Sequence, residues 1–393
     1  MVAAAAPADT LFPRPAELRP NIEFWKGVFA VFDTNEVIVH DAEHLGVIYG
    51  VESLSRGPGR RASEQAIRDR YARALARLAQ GPVDTLALGP EERRVWLAHG
   101  RSLDPECYRR AADRLRLQVG QRSRMVRGLG TWRRHRGEME RIFRQHGLPD
   151  SLVFLPFVES GFNAQARSTA GAVGLWQITR PAARRLLRMD RRVDERRDPL
   201  RATGAAATIL GHNHRTLGSW PLAITAYNHG LGGVARGVRT VSSTNIADLV
   251  HRYRGKAFGF ASRNFYAEFL AILEVMGQYP VYYGEDGPHL AVVPAGRLAE
   301  ERVARLERGG LAARSGPTLV RYALDRPRLV QLDIYDVRGQ RVRSLARQVQ
   351  GPGSYQAAWD GLDEQDLTAS TGVYLARLQA GNQVEYGKLV LLR

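Results

Sequence analysis

The stretch Leu148-Pro149-Asp150-Ser151-Leu152-Val153-Phe154-Leu155-Pro156-Phe157-Val158-Glu159-Ser160 is an apolar run that ends in one carboxylate. Beside Phe154, Leu155 and Val158 the ionised form of Glu159 loses hydration, which raises its pKa. A general acid working near neutral pH needs a carboxyl of that kind. The plain alternative is a solvated glutamate at a helix end. Three further stretches supply groups that suit an acid. Gly171-Ala172-Val173-Gly174-Leu175-Trp176-Gln177 is a glycine-spaced turn that gathers backbone, an indole and an amide. Ala226-Tyr227-Asn228-His229-Gly230 ends a helix with a phenol and an amide, and Arg263-Asn264-Phe265-Tyr266 opens another aromatic helix. Taken singly, Trp176 and Tyr227 also fit as core aromatics, and Asn228 with Gly230 as a helix C-cap. Together they offer one acid, rings that stack on sugars and amide donors, the groups of a carbohydrate cleft.

Several elements must position these residues. The acid stretch predicts an apolar helix kinked at Pro156. Asp198-Pro199 sets an N-cap acceptor before a proline, opening a helix through Ala205, Ala206, Ala207, Ile209 and Leu210 that Gly218 ends. Ser219 can cap the next helix, from Trp220 to Asn228. Short helices joined this tightly predict a compact α-rich domain over residues 148–288. Upstream, residues 21–147 read as an Arg-rich helical region. It holds the aromatics Phe24, Trp25, Phe29 and Phe32, a short strand at Val37-Ile38-Val39-His40, and a helix face of Ala66, Ile67, Tyr71, Ala74 and Leu75. The run Arg122, Arg124, Arg127, Arg133, Arg134, Arg136, Arg141 and Arg144 reads as a solvated face. Residues 1–20 are Ala/Pro-rich and read as a flexible N-terminus. Residues 289–317 read as a linker with one charged helical piece, ending in Arg314-Ser315-Gly316-Pro317. From residue 318 to 393 the period switches to alternation: Val330, Leu332, Ile334 and Tyr335 in one strand, a turn at Val337-Arg338-Gly339, and further strands up to Leu392. Short strands at this spacing predict a β-sandwich.

The composition of the 393 residues is ordinary for a folded protein, 44% hydrophobic and 25% charged. The balance of 57 basic against 40 acidic residues gives +17, and all but three of the basic residues are arginine. That excess attracts an anionic partner without choosing among nucleic acid, membrane and acidic polymer, and a GC-rich genome accounts for arginine equally well. The single cysteine, Cys107, excludes an internal disulfide framework and a cysteine-based zinc cage. His212-Asn213-His214 points its imidazoles to different helix faces, so no metal site is expected there. Asp190, Asp194, Glu195 and Asp198 stand among five arginines and read as a solvated charged loop. No apolar run reaches the roughly 20 residues of a membrane span. The N-terminus lacks a charged n-region and a long h-region, and no complete signal peptide is visible.

The order Glu159-Ser160, Gly174-Leu175-Trp176-Gln177, Ala226-Tyr227-Asn228, Arg263-Asn264-Phe265 resembles the lytic transglycosylases with a soluble-lytic-type domain, and most the membrane-bound D type of lytic murein transglycosylases. Pro20-Asn21-Ile22-Glu23-Phe24-Trp25 and Met139-Glu140-Arg141-Ile142-Phe143 look like this group's N-terminal arm. The resemblance implies an α-rich, lysozyme-like (α+β) catalytic domain in which Glu159 is the sole acid/base and Ser160 steadies it. It also implies that the backbone at Gly174, with Leu175, Trp176 and Gln177, holds the sugar, and that Tyr227 hydrogen-bonds the acid while Asn228 and Tyr266 line the cleft. Phe265 stands where the family commonly has tyrosine, so Tyr266, one position later, departs from the pattern. The family's frequent wall-binding repeats are missing. Instead, Trp359-Asp360-Gly361 and Ser370-Thr371-Gly372-Val373-Tyr374 resemble the immunoglobulin-like modules of flagellar hook-cap proteins and type IX sorting tails, implying a C-terminal all-β immunoglobulin-like sandwich whose partner stays open.

The activity this resemblance implies is cleavage of the MurNAc–GlcNAc β-1,4 bond of peptidoglycan strands with 1,6-anhydro ends. The expected location is the bacterial envelope, in the periplasm or at the outer membrane, and no cofactor or metal is expected. An inverting hydrolase needs a second carboxylate to activate water, and no Asp or Glu occurs between Glu159 and Asp190. The rivals are an inactive glycan-binding envelope protein and a hydrolytic, goose-type-like lysozyme. Nucleic acid is not expected as a partner, because only Trp132 and Phe143 interleave with the arginine run.

Overall fold

The computed structural model describes residues 11–81, 84–85, 87–277, 279–283, 304–306, 312–313, 318–324, 327–336, 340–370, 372–380 and 383–391. Residues 1–10, the Arg314-Ser315-Gly316-Pro317 break and the turn expected at Val337-Arg338-Gly339 lie outside the described residues. The chain divides into two compact units, Met1–Pro288 and His289–Arg393.

In the first unit, helix α1 (Arg19–Lys26) buries Ile22, Phe24 and Trp25. Strand β1 (Glu36–Asp41) runs antiparallel between β2 (Ile48–Ser53) and β3 (Leu115–Val119). Val37 and Val39 of this sheet meet Ile67, Tyr71 and Leu75 of α2 (Arg60–Leu78), Val95 of α3 (Pro90–Ala98) and Tyr108 of α4 (Pro105–Asp113) in one buried cluster. Burying each such side chain contributes roughly 1.5–3 kcal/mol before conformational entropy is subtracted. A region read as helical therefore also holds a three-stranded sheet. Its third strand has only the alternation Leu115, Leu117, Val119 to announce it, with Arg116 and Gln118 between.

Helix α5 (Arg122–Gln145) turns Met125, Leu129, Trp132, Met139 and Phe143 inward. Most of its arginines do face water, where Arg136–Glu140 and Arg141–Glu138 pair at 2.6 and 2.8 Å. Such exposed pairs are worth well under about 1 kcal/mol each. A 3₁₀ turn, Asp150–Phe154, then leads into α6 (Leu155–Ser160). The run expected as one helix kinked at Pro156 is instead this 3₁₀ turn followed by α6. This proline falls in the first turn of α6, where the amide it lacks has no helical acceptor to lose.

Helix α7 (Pro199–Leu217) starts as its cap signal predicts: the Asp198 carboxylate accepts from the Leu200 and Arg201 amides at 2.9 and 2.8 Å. Gly218 ends it at φ 67°. Helix α8 (Trp220–His229) has Ser219 at its N-cap without a side-chain hydrogen bond. Helices α9 (Leu231–Val241), α10 (Ile246–Arg252) and α11 (Phe260–Gly277) follow. Leu222, Ala223, Ile224 and Ala226 bury α8, which packs against both α7 and α11. Helix α11 also packs on α1 and on α6.

In the second unit, β4 (Ala304–Leu306), β6 (Thr318–Leu324) and β9 (Gly353–Trp359) form one antiparallel sheet in the order β4-β6-β9. The other has the order β5-β11-β10-β7-β8, from β5 (Ala312–Ala313), β7 (Arg328–Asp336), β8 (Arg341–Gln350), β10 (Gly372–Ala380) and β11 (Gln383–Leu391). Val320, Tyr322, Leu332, Ile334, Trp359, Tyr374 and Leu378 make its core. Strands β4 and β5 fall inside the stretch read as a linker.

Candidate active site

Glu159 lies on the last turn of α6, half-buried, and its carboxylate makes no hydrogen bond or ion pair among the described residues. Gly161 ends the helix at φ 62°, and Phe162 follows at φ 58°. Two positive φ values in succession turn the chain sharply at the acid, and only the glycine adopts one without strain. The neighbouring hydroxyl fixes the position: Ser160 Oγ donates to the Leu175 carbonyl at 2.8 Å and accepts the Asn163 amide at 3.1 Å. Ser160 thus ties the acid helix to the glycine turn.

That turn is held from several sides. Gly174 sits at φ 81°, and a Cβ there would collide with the Arg196 backbone carbonyl, so glycine is required. Its amide donates to the Ala166 carbonyl at 2.9 Å. Gln177, at φ 46°, returns its side-chain amide to the Gly174 carbonyl at 2.9 Å. Arg196, in the loop expected to be solvated, is only 5% exposed. Its guanidinium donates to the Gly171 and Ile178 carbonyls at 3.1 and 3.2 Å and pairs with Asp194 at 2.7 Å. Arg124 leaves the solvated face predicted for α5 in the same manner. Its Nε donates to the Ser160 carbonyl at 3.1 Å, where the C-terminal carbonyls of α6 lack helical partners.

Electrostatics sets the protonation of the site. Burial pushes the Glu159 carboxyl from 4.5 up to about 8, with the Arg124 charge pulling part of the way back. A second carboxyl shares this environment. Glu268 of α11 is half-buried, without a hydrogen bond or ion pair among the described residues, and is raised to about 8 by burial and then by the charge on Glu159. Two such groups titrate as a pair. Sequence reading missed Glu268 because it lies in the helix opened by the fourth motif, outside the stretch searched for a second acid.

Tyr227 lies within reach of the Glu159 charge, which together with burial raises its phenol well above the usual range. Its hydroxyl donates to the Trp176 carbonyl at 2.8 Å rather than to the acid. Leu175 and Trp176 are buried to 1% and 0% exposure. The indole stacks on Phe143 with centroids 5.6 Å apart and donates to Thr203 Oγ1 at 2.9 Å, so its ring is held in the core and only its backbone joins the site. Asn228 is exposed and accepts from Ser262 Oγ at 3.0 Å. Tyr266 is not brought to the site. It is 1% exposed, and its hydroxyl donates to the Pro13 carbonyl at 2.8 Å, so it fastens the N-terminal segment instead. The structure therefore gathers Glu159, Ser160, Gly174, Gln177 and Tyr227 with the unforeseen Arg124, Arg196 and Glu268. Among the described residues no group of three His, Cys, Asp or Glu is placed to hold a metal.

Residues 140–250 match the family described as Transglycosylase SLT domain, and residues 311–383 match the FlgD Ig-like domain. Membrane-bound lytic murein transglycosylase D of Escherichia coli, in strain K12 and in strain CFT073, is 35% identical over 121 residues, 30% of this chain and 25% of that protein. The chain thus spans about a quarter of the length of these relatives. The X-ray structure of an inactive mutant of lytic transglycosylase Slt from Pseudomonas aeruginosa matches 38% of this chain and 24% of its own, at 22% identity and a TM-score of 0.30. An overlap that partial carries no fold argument. The family match does cover the acid, the glycine turn and the tyrosine helix together. The chain carries a transglycosylase SLT domain, homologous to that of membrane-bound lytic murein transglycosylase D, and an FlgD-type Ig-like domain.

Proposed function

We propose that the protein is a peptidoglycan lytic transglycosylase of the bacterial envelope, with residues 148–288 as its catalytic domain and residues 318–393 as a separate module. One observation carries this reading: Glu159 stands half-buried and unpaired among the described residues at the end of α6, tied through Ser160 to the glycine turn, and burial there raises its carboxyl to about 8. The protonated carboxyl gives its proton to the glycosidic oxygen as the bond from C1 of the muramyl residue breaks. The resulting carboxylate takes the proton of the C6 hydroxyl while that oxygen bonds to C1. The acid is regenerated, no water is consumed, and a 1,6-anhydro ring closes. Acid–base help of this kind is worth roughly 10²–10⁴ in rate. The attacking hydroxyl belongs to the same sugar, which supplies a high effective concentration. The Arg-rich surface suits a wall polymer whose peptide stems carry carboxylates.

Glu268 is the observation behind a second reading, hydrolysis: its ionised form, which its raised pKa confines to pH near 8 and above, would activate water. The two readings differ in product, as anhydro against reducing muramyl ends. An inactive glycan-binding protein would produce neither. Replacing Glu159 with Gln and assaying lysis of purified peptidoglycan tests the common core of both. Lysis should vanish while glycan binding persists, and retained lysis would remove Glu159 from the role.

A further inference from the structure

A cavity of about 90 Å³ opens where α1, the β1–β2 loop, the end of α10 and the start of α11 meet. Its lining is cationic and holds one buried donor without an acceptor among the described residues. Arg263 enters it with a buried Nε that has no hydrogen-bond acceptor among the described residues. The same guanidinium reaches the Glu43 carboxylate only at 3.8 Å. Arg254 makes one long bond, 3.4 Å, to the Tyr253 carbonyl and no ion pair among the described residues. His44 and His251 complete the rim. Among the residues lining the cavity, Glu43 is the one acidic group facing these four. The far wall is fixed, since the Asn21 side-chain amide donates to Asn264 Oδ1 at 2.9 Å and Asn264 in turn donates to the Phe260 carbonyl at 2.9 Å.

A buried guanidinium nitrogen without an acceptor is costly unless something accepts from it. Arginine matches planar two-oxygen anions in fork geometry. At about 90 Å³ and open to solvent on one side, the space admits the carboxylate end of a molecule. We propose that this pocket is a carboxylate-binding site in which Arg263 and Arg254 hold the two oxygens. The carboxylate belongs either to a free small acid or to the end of a peptide chain. A peptide end would make the pocket a subsite for wall stems, and that assignment alone rests on the peptidoglycan reading.

Nuclear magnetic resonance of the full chain with nitrogen-labelled arginine follows the Arg263 Nε–H signal directly. Three probes are titrated: succinate, D-Ala-D-Ala, and D-Ala-D-Ala amide. The expected result is that the Arg263 signal moves with a free carboxylate, and that the acid dipeptide binds at least about tenfold more tightly than its amide. Arg263→Lys keeps the charge and removes the fork, and Arg254→Ala alters an exposed side chain. Each should weaken binding about tenfold with an unchanged melting temperature. Binding of succinate but neither dipeptide would assign the pocket to free small acids. An Arg263 signal indifferent to all three probes, or equal binding of acid and amide, would overturn the proposal. No cleavage enters the measurement, so a protein without lytic activity that binds the acid leaves this inference standing while the proposed function falls.

Discussion

Ser160 Oγ donates to the Leu175 carbonyl at 2.8 Å, joining the residue beside the acid to the turn fifteen positions further along the chain. Both partners are buried, at 1% exposure each. The bond thus ties the glycine turn to the helix end that carries the acid. Removing the hydroxyl leaves a buried carbonyl without its donor, which costs about 1–3 kcal/mol. Ser160→Ala should lower unfolding free energy by that amount in urea titrations and reduce lysis several-fold with glycan affinity less affected. Stability equal to that of the unaltered protein would show that the bond is not maintained in solution.

Glu159 links activity and stability to pH in opposite ways from most carboxylates. Its pKa is raised in the folded chain, from 4.5 to about 8. Between those values the folded state holds a proton that the unfolded state has released, so stability falls as pH rises across the window. Glu159→Gln, neutral throughout, should match the unaltered protein near pH 4 and become progressively more stable than it toward pH 8. Lysis should itself decline as pH passes about 8, where the acid loses its proton. Parallel stability curves across the window would contradict a protonated Glu159.

Glu268 and Glu159 raise each other's pKa if their carboxyls share one low-dielectric site, and the effect must be mutual. Glu268→Gln should shift the alkaline limb of the lysis profile toward acid, and Glu159→Gln should shift the Glu268 titration in the same direction. Carboxyl-carbon resonance titrations read both. A Glu159 titration unchanged by Glu268→Gln would place the second carboxyl outside the site.

Arg196 holds the glycine turn through two backbone carbonyls and Asp194. Hydrogen bonds to a charged group contribute about 1.5–3 kcal/mol. Arg196→Ala should destabilise the first unit by roughly that amount and cost more in lysis rate than Arg188→Ala, an exposed change in the same loop. Equal effects from both would return Arg196 to the solvated class.

The two compact units divide between Pro288 and His289. A chain ended at Pro288 should melt cooperatively and cleave glycan strands at the rate of the full protein. Loss of cooperative melting in calorimetry would show that the units fold as one.

Much of this fold is legible in the sequence because the signals are local. Asp198 before Pro199 and Gly218 after Leu217 frame a helix that the structure reproduces, and alternation announces β7 and β10. The acid and its glycine turn are legible as motifs. What escapes depends on tertiary placement. Arg124 and Arg196 look like their exposed neighbours until a helix end or a turn is packed against them. Tyr266 sits one position from a motif residue, but on a helix one position is a rotation of about 100°, and its hydroxyl reaches Pro13. Glu268 becomes relevant only when α11 packs on α6.

In the proposed mechanism an intramolecular hydroxyl, not water, attacks the bond that Glu159 protonates. Digestion of purified peptidoglycan in heavy-oxygen water, with mass spectrometry of the released muropeptides, tests it in one measurement. The predicted products have anhydro-muramyl ends, each lighter by one water than the hydrolytic product and free of the heavy isotope. Reducing muramyl ends carrying the isotope would mean that water is the nucleophile, with Glu268 its activating base, and would contradict this mechanism.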